Sequence, residues 1–170
     1  NYTVEEVPGN DRHITYDTTS YAVSAVVTDN LDGTLKVTWN SGTGNIQFRN
    51  TYTVDSTNAT PSVEKKISGK QPSKDSTFHF TITGSDNAPM PEGSKDGTKS
   101  VTITGEGKAD FGKITFDKAG TYTYKVSEKI GSESSYNYDA TEYTLTYKVK
   151  DVDGELKAEK SITAGGKSAD

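Results

Sequence analysis

The chain has 170 residues, of which 30% are hydrophobic, and its formal net charge at pH 7 is −5. Because lysines and carboxylates are interspersed without a basic block, we expect neither nucleic acid nor an anionic membrane as a partner. No apolar run approaches the roughly 20 residues of a membrane span, and the lack of cysteine excludes disulfides and thiolate metal sites.

Alternating apolar and polar side chains predict β-strands from the beginning of the chain. Strands are predicted at residues 1–6, 13–27, 34–39 and 45–52. Asp32-Gly33 predicts a tight hairpin turn, and residues 41–44 predict a second turn. Residues 55–61 are small and polar and end in proline, which is typical of a linker between domains.

The second part of the chain has the same character. Strands are predicted at residues 62–69, 77–83, 100–104, 112–116, 121–128, 143–149 and 155–162. Residues 87–98 are rich in proline and glycine and predict a loop, and Asp153-Gly154 predicts another hairpin. Since no stretch has helical periodicity, we expect an all-β protein.

The sequence contains an internal repeat with a separation of 122 positions. The matching residues are Glu6 with Glu128, Tyr16-Asp17 with Tyr138-Asp139, and Tyr21 with Tyr143. A period this long indicates tandem domains rather than a solenoid. We therefore expect a first module over residues 1–54, a linker over 55–61 and a second module over 62–170. The first module is expected to lack its opening strands and the second its last strand.

Three polar residues fall on strand faces that are otherwise apolar. Lys65 alternates with Val63 and Ile67, Asn50 shares a face with Ile46 and Phe48, and Glu128 follows Tyr122, Tyr124 and Val126 on one face. Glu6 follows Tyr2 and Val4 in the same way. Burial of a lone charge is costly, so such groups are expected to meet a partner or to stay neutral.

An amine, a carboxylic acid and a carboxamide that are buried together can react with one another. Burial favours the neutral forms of the amine and the acid in general. The amine can then attack the carboxamide carbon, while the acid polarises the carbonyl group and helps ammonia to leave. The expected product is a Lys–Asn amide cross-link, and its formation needs neither a metal nor a cofactor.

Four sequence strings resemble those of a known family. VEKKISG, AGTYTYKVSE, YDATEY and IQFRNTY are similar to the isopeptide-linkage modules of Gram-positive pilins and surface adhesins. The resemblance covers nearly the whole chain apart from the loop and the linker. It implies tandem Ig-like β-sandwich modules of the CnaB type.

The resemblance also implies a role for each polar residue. Lys65 is the amine and Glu128 the acid of the second module, whereas Glu6 is the acid and Asn50 the acceptor of the first. Lys66 is the less favoured amine, because it falls on the opposite face of its strand. No metal site is expected, since His13 and His79 are isolated from other ligands.

Because Asn50 and Lys65 belong to different modules, three interpretations of the cross-link stay open. The chain is a piece in which neither bond closes internally, or it is half of a split pair that a partner peptide completes. In the third interpretation, the Asn50 strand of a neighbouring chain fills the second module in a head-to-tail assembly.

The resemblance implies a mechanical function. We expect a structural module of a pilus shaft or adhesin stalk on the bacterial cell wall, with neighbouring modules or chains as partners and no turnover enzyme activity. The alternatives are a ligand-binding adhesin module that recognises a host protein or glycan, and a split domain that a partner strand completes.

Overall fold

The structure is a computed structural model that describes residues 1–40, 45–70 and 75–169, with only the main chain at residue 40. The turn predicted at residues 41–44 lies outside this part of the chain. The chain divides into two units, Asn1–Thr53 (unit 1) and Val54–Asp170 (unit 2). Among the described residues, no helix is long and apolar enough to cross a membrane.

The described part of unit 1 contains five strands in two small antiparallel sheets. They are β1 (Tyr2–Glu5), β2 (Ile14–Thr15), β3 (Ser20–Asp29), β4 (Leu35–Asn40) and β5 (Thr51–Tyr52). One sheet has the order β1-β3-β4, and β2 pairs with β5 in the other. The hairpin predicted at Asp32-Gly33 is confirmed, because it joins β3 to β4 with Gly33 at a φ of 87°.

Two predicted strands of unit 1 are shorter in the structure. The strand predicted at 13–27 is interrupted between β2 and β3, where the carboxylate of Asp17 accepts a hydrogen bond from the N–H of Thr19 and forms a local turn. The strand predicted at 45–52 is confirmed only at β5. In the segment before β5, main-chain groups form hydrogen bonds with side chains instead of with a neighbouring strand. Tyr21 Oη donates to the carbonyl of Gln47, and the carboxylate of Asp17 accepts from the N–H of Arg49.

Ten strands lie in the part of unit 2 that the structure describes. They are β6 (Thr57–Ala59), β7 (Ser62–Lys65), β8 (Thr77–Gly84), β9 (Thr98–Thr104), β10 (Gly107–Asp110), β11 (Ile114–Phe116), β12 (Gly120–Glu128), β13 (Glu142–Val152), β14 (Glu155–Ala164) and β15 (Lys167–Ser168). A six-stranded antiparallel sheet has the order β15-β14-β13-β12-β8-β9. Two strand pairs, β10-β7 and β11-β6, complete the unit.

The prediction of a linker at residues 55–61 is wrong. Thr57–Ala59 is strand β6, which pairs with β11 from Ala59↔Ile114 to Thr57↔Phe116. The N–H of Asp55 donates to the carbonyl of Gly154, so the segment before β6 is also bound to unit 2. Small polar residues suited the prediction of a linker, but hydrogen bonding through the main chain does not depend on side-chain polarity.

The hydrophobic core of the described residues lies in unit 2. On β8, Phe78, Phe80 and Ile82 are buried, and the intervening His79 is exposed. Their neighbours in the core are Ile103, Phe111, Ile114, Phe116, Tyr124, Leu145, Tyr147, Val149 and Leu156. A similar alternation confirms the face predicted for β12, on which Tyr124 is buried, and it directs the last residue of the strand, Glu128, toward the same interior.

Strand β7 carries Lys65 at its end and has one neighbour. It pairs with β10, with Lys65 opposite Gly107. Among the described residues, no strand pairs with the other edge of β7. An unpaired strand edge presents main-chain donors and acceptors that can receive a further strand.

Candidate functional site

Unit 2 brings Lys65 and Glu128 together. Lys65 Nζ lies 2.8 Å from both Oε1 and Oε2 of Glu128. The two side chains are 11% and 4% exposed. The pair is therefore shielded from water. In such a buried environment a charge–charge contact is much stronger than at the protein surface. A proton that moves along either hydrogen bond converts the pair into a neutral amine and a carboxylic acid.

One aromatic ring lies under the amine of Lys65, and two further rings pack against that ring. Lys65 Nζ lies 4.3 Å from the centroid of the Phe78 ring. Tyr136 packs edge-on against Phe78 with 5.2 Å between ring centroids, and Tyr138 lies 6.0 Å from the same ring. A cation above an aromatic face is stabilised by about 0.5–2 kcal/mol, and more when it is desolvated. These rings restrict the amine to the side of β7 on which Glu128 lies.

Lys66 points elsewhere. Its side chain is 81% exposed, and its Nζ lies 3.8 Å from the carboxylate of Glu64. An exposed amine at pH 7 is protonated and cannot act as a nucleophile. Lys65, the last residue of β7, is thus a buried lysine, and Lys66, which follows the strand, is a matched exposed lysine.

Gly131 is required for the position of Tyr138. A Cβ at Gly131 would lie 2.5 Å from Cζ of Tyr138 and still closer to its hydroxyl oxygen. We expect Gly131→Ala to displace the ring and to lower the free energy of unfolding by about 1–3 kcal/mol, as overpacking does. Chemical denaturation measures this loss. Gly120→Ala is the control, because its nearest neighbour would lie at 3.4 Å. Equal stability of the two variants would contradict this role.

A groove in unit 2 reaches Glu128, the partner of Lys65, and its lining includes Glu64 and Lys66 but not Lys65 itself. Its volume is about 350 Å³, and its lining includes main-chain and side-chain atoms of β7, β12 and β13. Glu128, Asp139 and Tyr143 supply polar groups to it, whereas Val63, Val126 and Leu145 supply apolar surface. The groove runs along the edge of β7 that no described strand covers.

Unit 1 brings Glu6 and Asn50 together. The Nδ2 group of Asn50 donates to Oε1 of Glu6 at 2.6 Å, and the N–H of Asp17 donates to Oδ1 of Asn50 at 2.9 Å. Both ends of the carboxamide are thus held. The second oxygen of Glu6, Oε2, is buried without a hydrogen-bond partner among the described residues. Asn50 itself is exposed, so its expected burial is wrong.

The two units show complementary halves of one arrangement. In unit 2 the glutamate contacts the lysine, and in unit 1 the equivalent glutamate contacts the carboxamide nitrogen. The residues that surround them, Asp17 with Asp139 and Tyr21 with Tyr143, occupy equivalent positions of the repeat. A single glutamate can therefore bridge an amine with one oxygen and a carboxamide with the other.

Asp139 lies beside the pair in unit 2. Its N–H donates to Oε2 of Glu128 at 3.3 Å, and its own carboxylate accepts from the N–H of Thr141 at 2.9 Å. The side chain of Thr141, then its N–H, and more weakly the positive charge of Lys65, hold the pKa of Asp139 below its usual value. The carboxylate consequently stays ionised at neutral pH.

The described residues contain no group of three or more His, Asp or Glu side chains that could hold a metal ion.

The model of one protein family, FctA, described as the Spy0128-like isopeptide containing domain, matches residues 1–53 and 61–169. The chain belongs to this family. The two matched ranges cover nearly the whole chain and fall in unit 1 and unit 2 respectively. No curated protein matches the chain.

Membership of the FctA family confirms the resemblance to Gram-positive pilin isopeptide domains and the all-β, Ig-like fold class. The cross-linking roles of Lys65, Glu128, Glu6 and Asn50 stay predictions. Sequence reasoning singled out these four but missed the roles of Phe78 and Asp139. The only signal for Asp139 was the repeated Tyr-Asp pair, which matches Tyr16-Asp17.

Proposed function

We propose that this FctA-family chain is part of a pilus shaft whose modules are closed by self-formed Lys–Asn isopeptide bonds. Lys65 is the nucleophile of unit 2 and Glu128 its proton carrier, whereas Asn50 is the acceptor of unit 1 and Glu6 its proton carrier. Each bond forms once, so the chain is not a turnover enzyme, and no cofactor takes part.

The observation that carries this proposal is the buried contact of Lys65 with Glu128 at the end of a groove. A lysine and a glutamate that served stability alone would gain little from burial, since removal of both charges from water offsets their attraction. A buried amine beside a proton acceptor and next to an open strand edge has, in contrast, the groups that amide formation needs.

In the proposed reaction, Nζ of Lys65 replaces the nitrogen of an asparagine side-chain amide. Lys65 passes a proton to Glu128, and the neutral Nζ attacks the carbonyl carbon of an asparagine side chain. A C–N bond forms, and the tetrahedral intermediate then breaks its bond to the amide nitrogen. Glu128 ends up protonated, because it takes the surplus second proton of Nζ as it gives the first one to the amide nitrogen, which leaves as ammonia. The 2.6 Å contact between Glu6 and Nδ2 of Asn50 in unit 1 is the contact that this last proton transfer requires.

The acceptor of unit 2 is an extended strand that carries an asparagine and pairs with the free edge of β7. Strand addition supplies main-chain hydrogen bonds, and the groove receives alternate side chains. Residues 46–52 show the chemistry of such a strand, with Ile46, Phe48 and Asn50 on one face. We assign this strand to a neighbouring module or chain of the same shaft.

The bond would strengthen the module under tension. A covalent tie between the first and last strands transmits force without unfolding the sheet between them. This role places the chain in a pilus on the surface of a Gram-positive cell.

A peptide acceptor tests the proposal. We expect a synthetic peptide with the sequence of residues 45–53 and blocked ends to add covalently to the chain. Intact mass under denaturing conditions should rise by the mass of the peptide less one ammonia. Lys65→Arg should abolish the adduct, whereas the matched control Lys66→Arg should retain it, because Lys66 is exposed. An adduct that persists in Lys65→Arg, or none in the unaltered chain, would contradict the proposal.

A further inference from the structure

Asp17 holds the acceptor strand of unit 1 at two points. Its N–H donates to Oδ1 of Asn50 at 2.9 Å, and its Oδ2 accepts from the N–H of Arg49 at 2.8 Å. Its other oxygen, Oδ1, accepts from the N–H of Thr19 at 2.8 Å and so shapes the turn that presents these groups. One residue thus binds the reacting side chain and the main chain immediately before it.

Asp139 occupies the equivalent position in unit 2, beside the groove. Its Oδ1 accepts from the N–H of Thr141, which reproduces the turn of Asp17 and Thr19. Its N–H reaches Oε2 of Glu128 at 3.3 Å, and Tyr143 Oη lies 3.5 Å from its Oδ2. The contacts of Asp139 with Glu128 and Tyr143 are longer than those of Asp17 with Asn50 and Arg49. They are therefore weak, and Asp139 can easily exchange them for better partners.

We propose that Asp139 aligns the asparagine-bearing strand at Lys65, its main-chain N–H binding the carboxamide oxygen and its carboxylate binding the N–H of the preceding residue. This inference rests on the proposed cross-linking function. It adds a specificity rule, since Asp139 accepts an asparagine only when the residue before it offers a free N–H. It also sets the register of the strand, because a shift by one residue turns the asparagine away from the groove.

The N–H of Asp139 also has a chemical role. When Lys65 attacks the carboxamide carbon, negative charge develops on the carboxamide oxygen. The main-chain N–H of Asp139, once it has exchanged Oε2 of Glu128 for that oxygen, stabilises the charge as an oxyanion-hole donor does. Glu128 then transfers protons between the two nitrogen atoms of the reaction, and the N–H of Asp139 binds the oxygen. The carboxylate of Asp139 acts as a positioning group, because it contacts the strand and not the reacting atoms.

The test is a double-mutant cycle between the chain and the peptide of residues 45–53. One peptide carries an N-methyl group on the nitrogen of Arg49, which removes the N–H that the carboxylate binds, and a control peptide carries it on Gln47. We expect methylation at Arg49 to slow adduct formation by the unaltered chain by about tenfold to a hundredfold, the range for hydrogen bonds to charged groups. Asp139→Ala should react about as slowly with the unmethylated peptide.

The decisive readout is the coupling between the two changes. In Asp139→Ala, methylation at Arg49 should have almost no further effect, whereas Asp139→Asn, which retains an acceptor oxygen, should recover part of the rate. Independent effects of the two changes, or a normal rate for Asp139→Ala, would overturn the role of Asp139 while cross-linking stands. Failure of the unaltered chain to form any adduct would overturn both inferences.

Discussion

Glu128→Ala is expected to abolish amide formation at Lys65. Without the carboxylate, no described group within hydrogen-bonding distance of Nζ can accept its proton, and nothing can return a proton to the leaving nitrogen. Loss of a positioned general acid–base group costs about 10²–10⁴-fold in rate. A single-turnover reaction slowed this much should give no adduct with the peptide of residues 45–53 within hours.

Two further variants make this result specific. Glu128→Gln keeps the size and hydrogen-bonding oxygen of the side chain but cannot carry a proton, so it should be as inactive as Glu128→Ala. Glu64→Ala removes a half-exposed carboxylate from the same strand as Lys65 and should react normally. Time courses of intact mass measure all three variants. Bonding of Glu128→Ala at the rate of Glu64→Ala would show that Glu128 has no part in the chemistry.

The second large effect concerns stability before the bond forms. Removal of one member of a buried ion pair leaves the other charge uncompensated, which costs about 3–5 kcal/mol. We expect Lys65→Ala and Glu128→Ala to lose this much free energy of unfolding. The double variant Lys65→Met with Glu128→Leu replaces both charges by apolar groups of similar length. It should be at least as stable as the unaltered chain, yet unable to form the bond.

Urea denaturation without any peptide measures these three variants on the same scale. The control is Lys66→Ala, which removes an exposed lysine and should change stability by less than about 0.5 kcal/mol. A double variant that is less stable than either single variant would mean that the pair stabilises unit 2 by itself. The equal distances of 2.8 Å from Nζ to the two oxygens of Glu128 would then be explained by stability alone.

The sequence was sufficient to predict the strand that carries Glu128. Tyr122, Tyr124 and Val126 alternate with polar residues, and this pattern alone determines which face Glu128 shares. Because the apolar side chains must turn inward, the carboxylate is carried with them to 4% exposure. The same reasoning placed Lys65 on the inner face of β7 and Lys66 on the outer face.

Three features could not be predicted in this way. Asn50 is exposed although Ile46 and Phe48 share its face, because residues 46–50 are held by side chains of Asp17 and Tyr21 instead of a strand ladder. The segment 55–61 pairs through its main chain, which leaves no mark on side-chain polarity. The part assigned to Asp139 depends on a main-chain N–H, which every residue except proline carries.

The position of the new bond tests the central claim most directly. The unaltered chain is incubated with the peptide of residues 45–53, digested, and fragmented in a mass spectrometer. We predict one branched peptide in which Nζ of Lys65 is joined to the asparagine side chain that corresponds to Asn50, with one ammonia lost. A branch at Lys66 or any other lysine, or recovery of Lys65 only in unmodified peptides, would contradict the account.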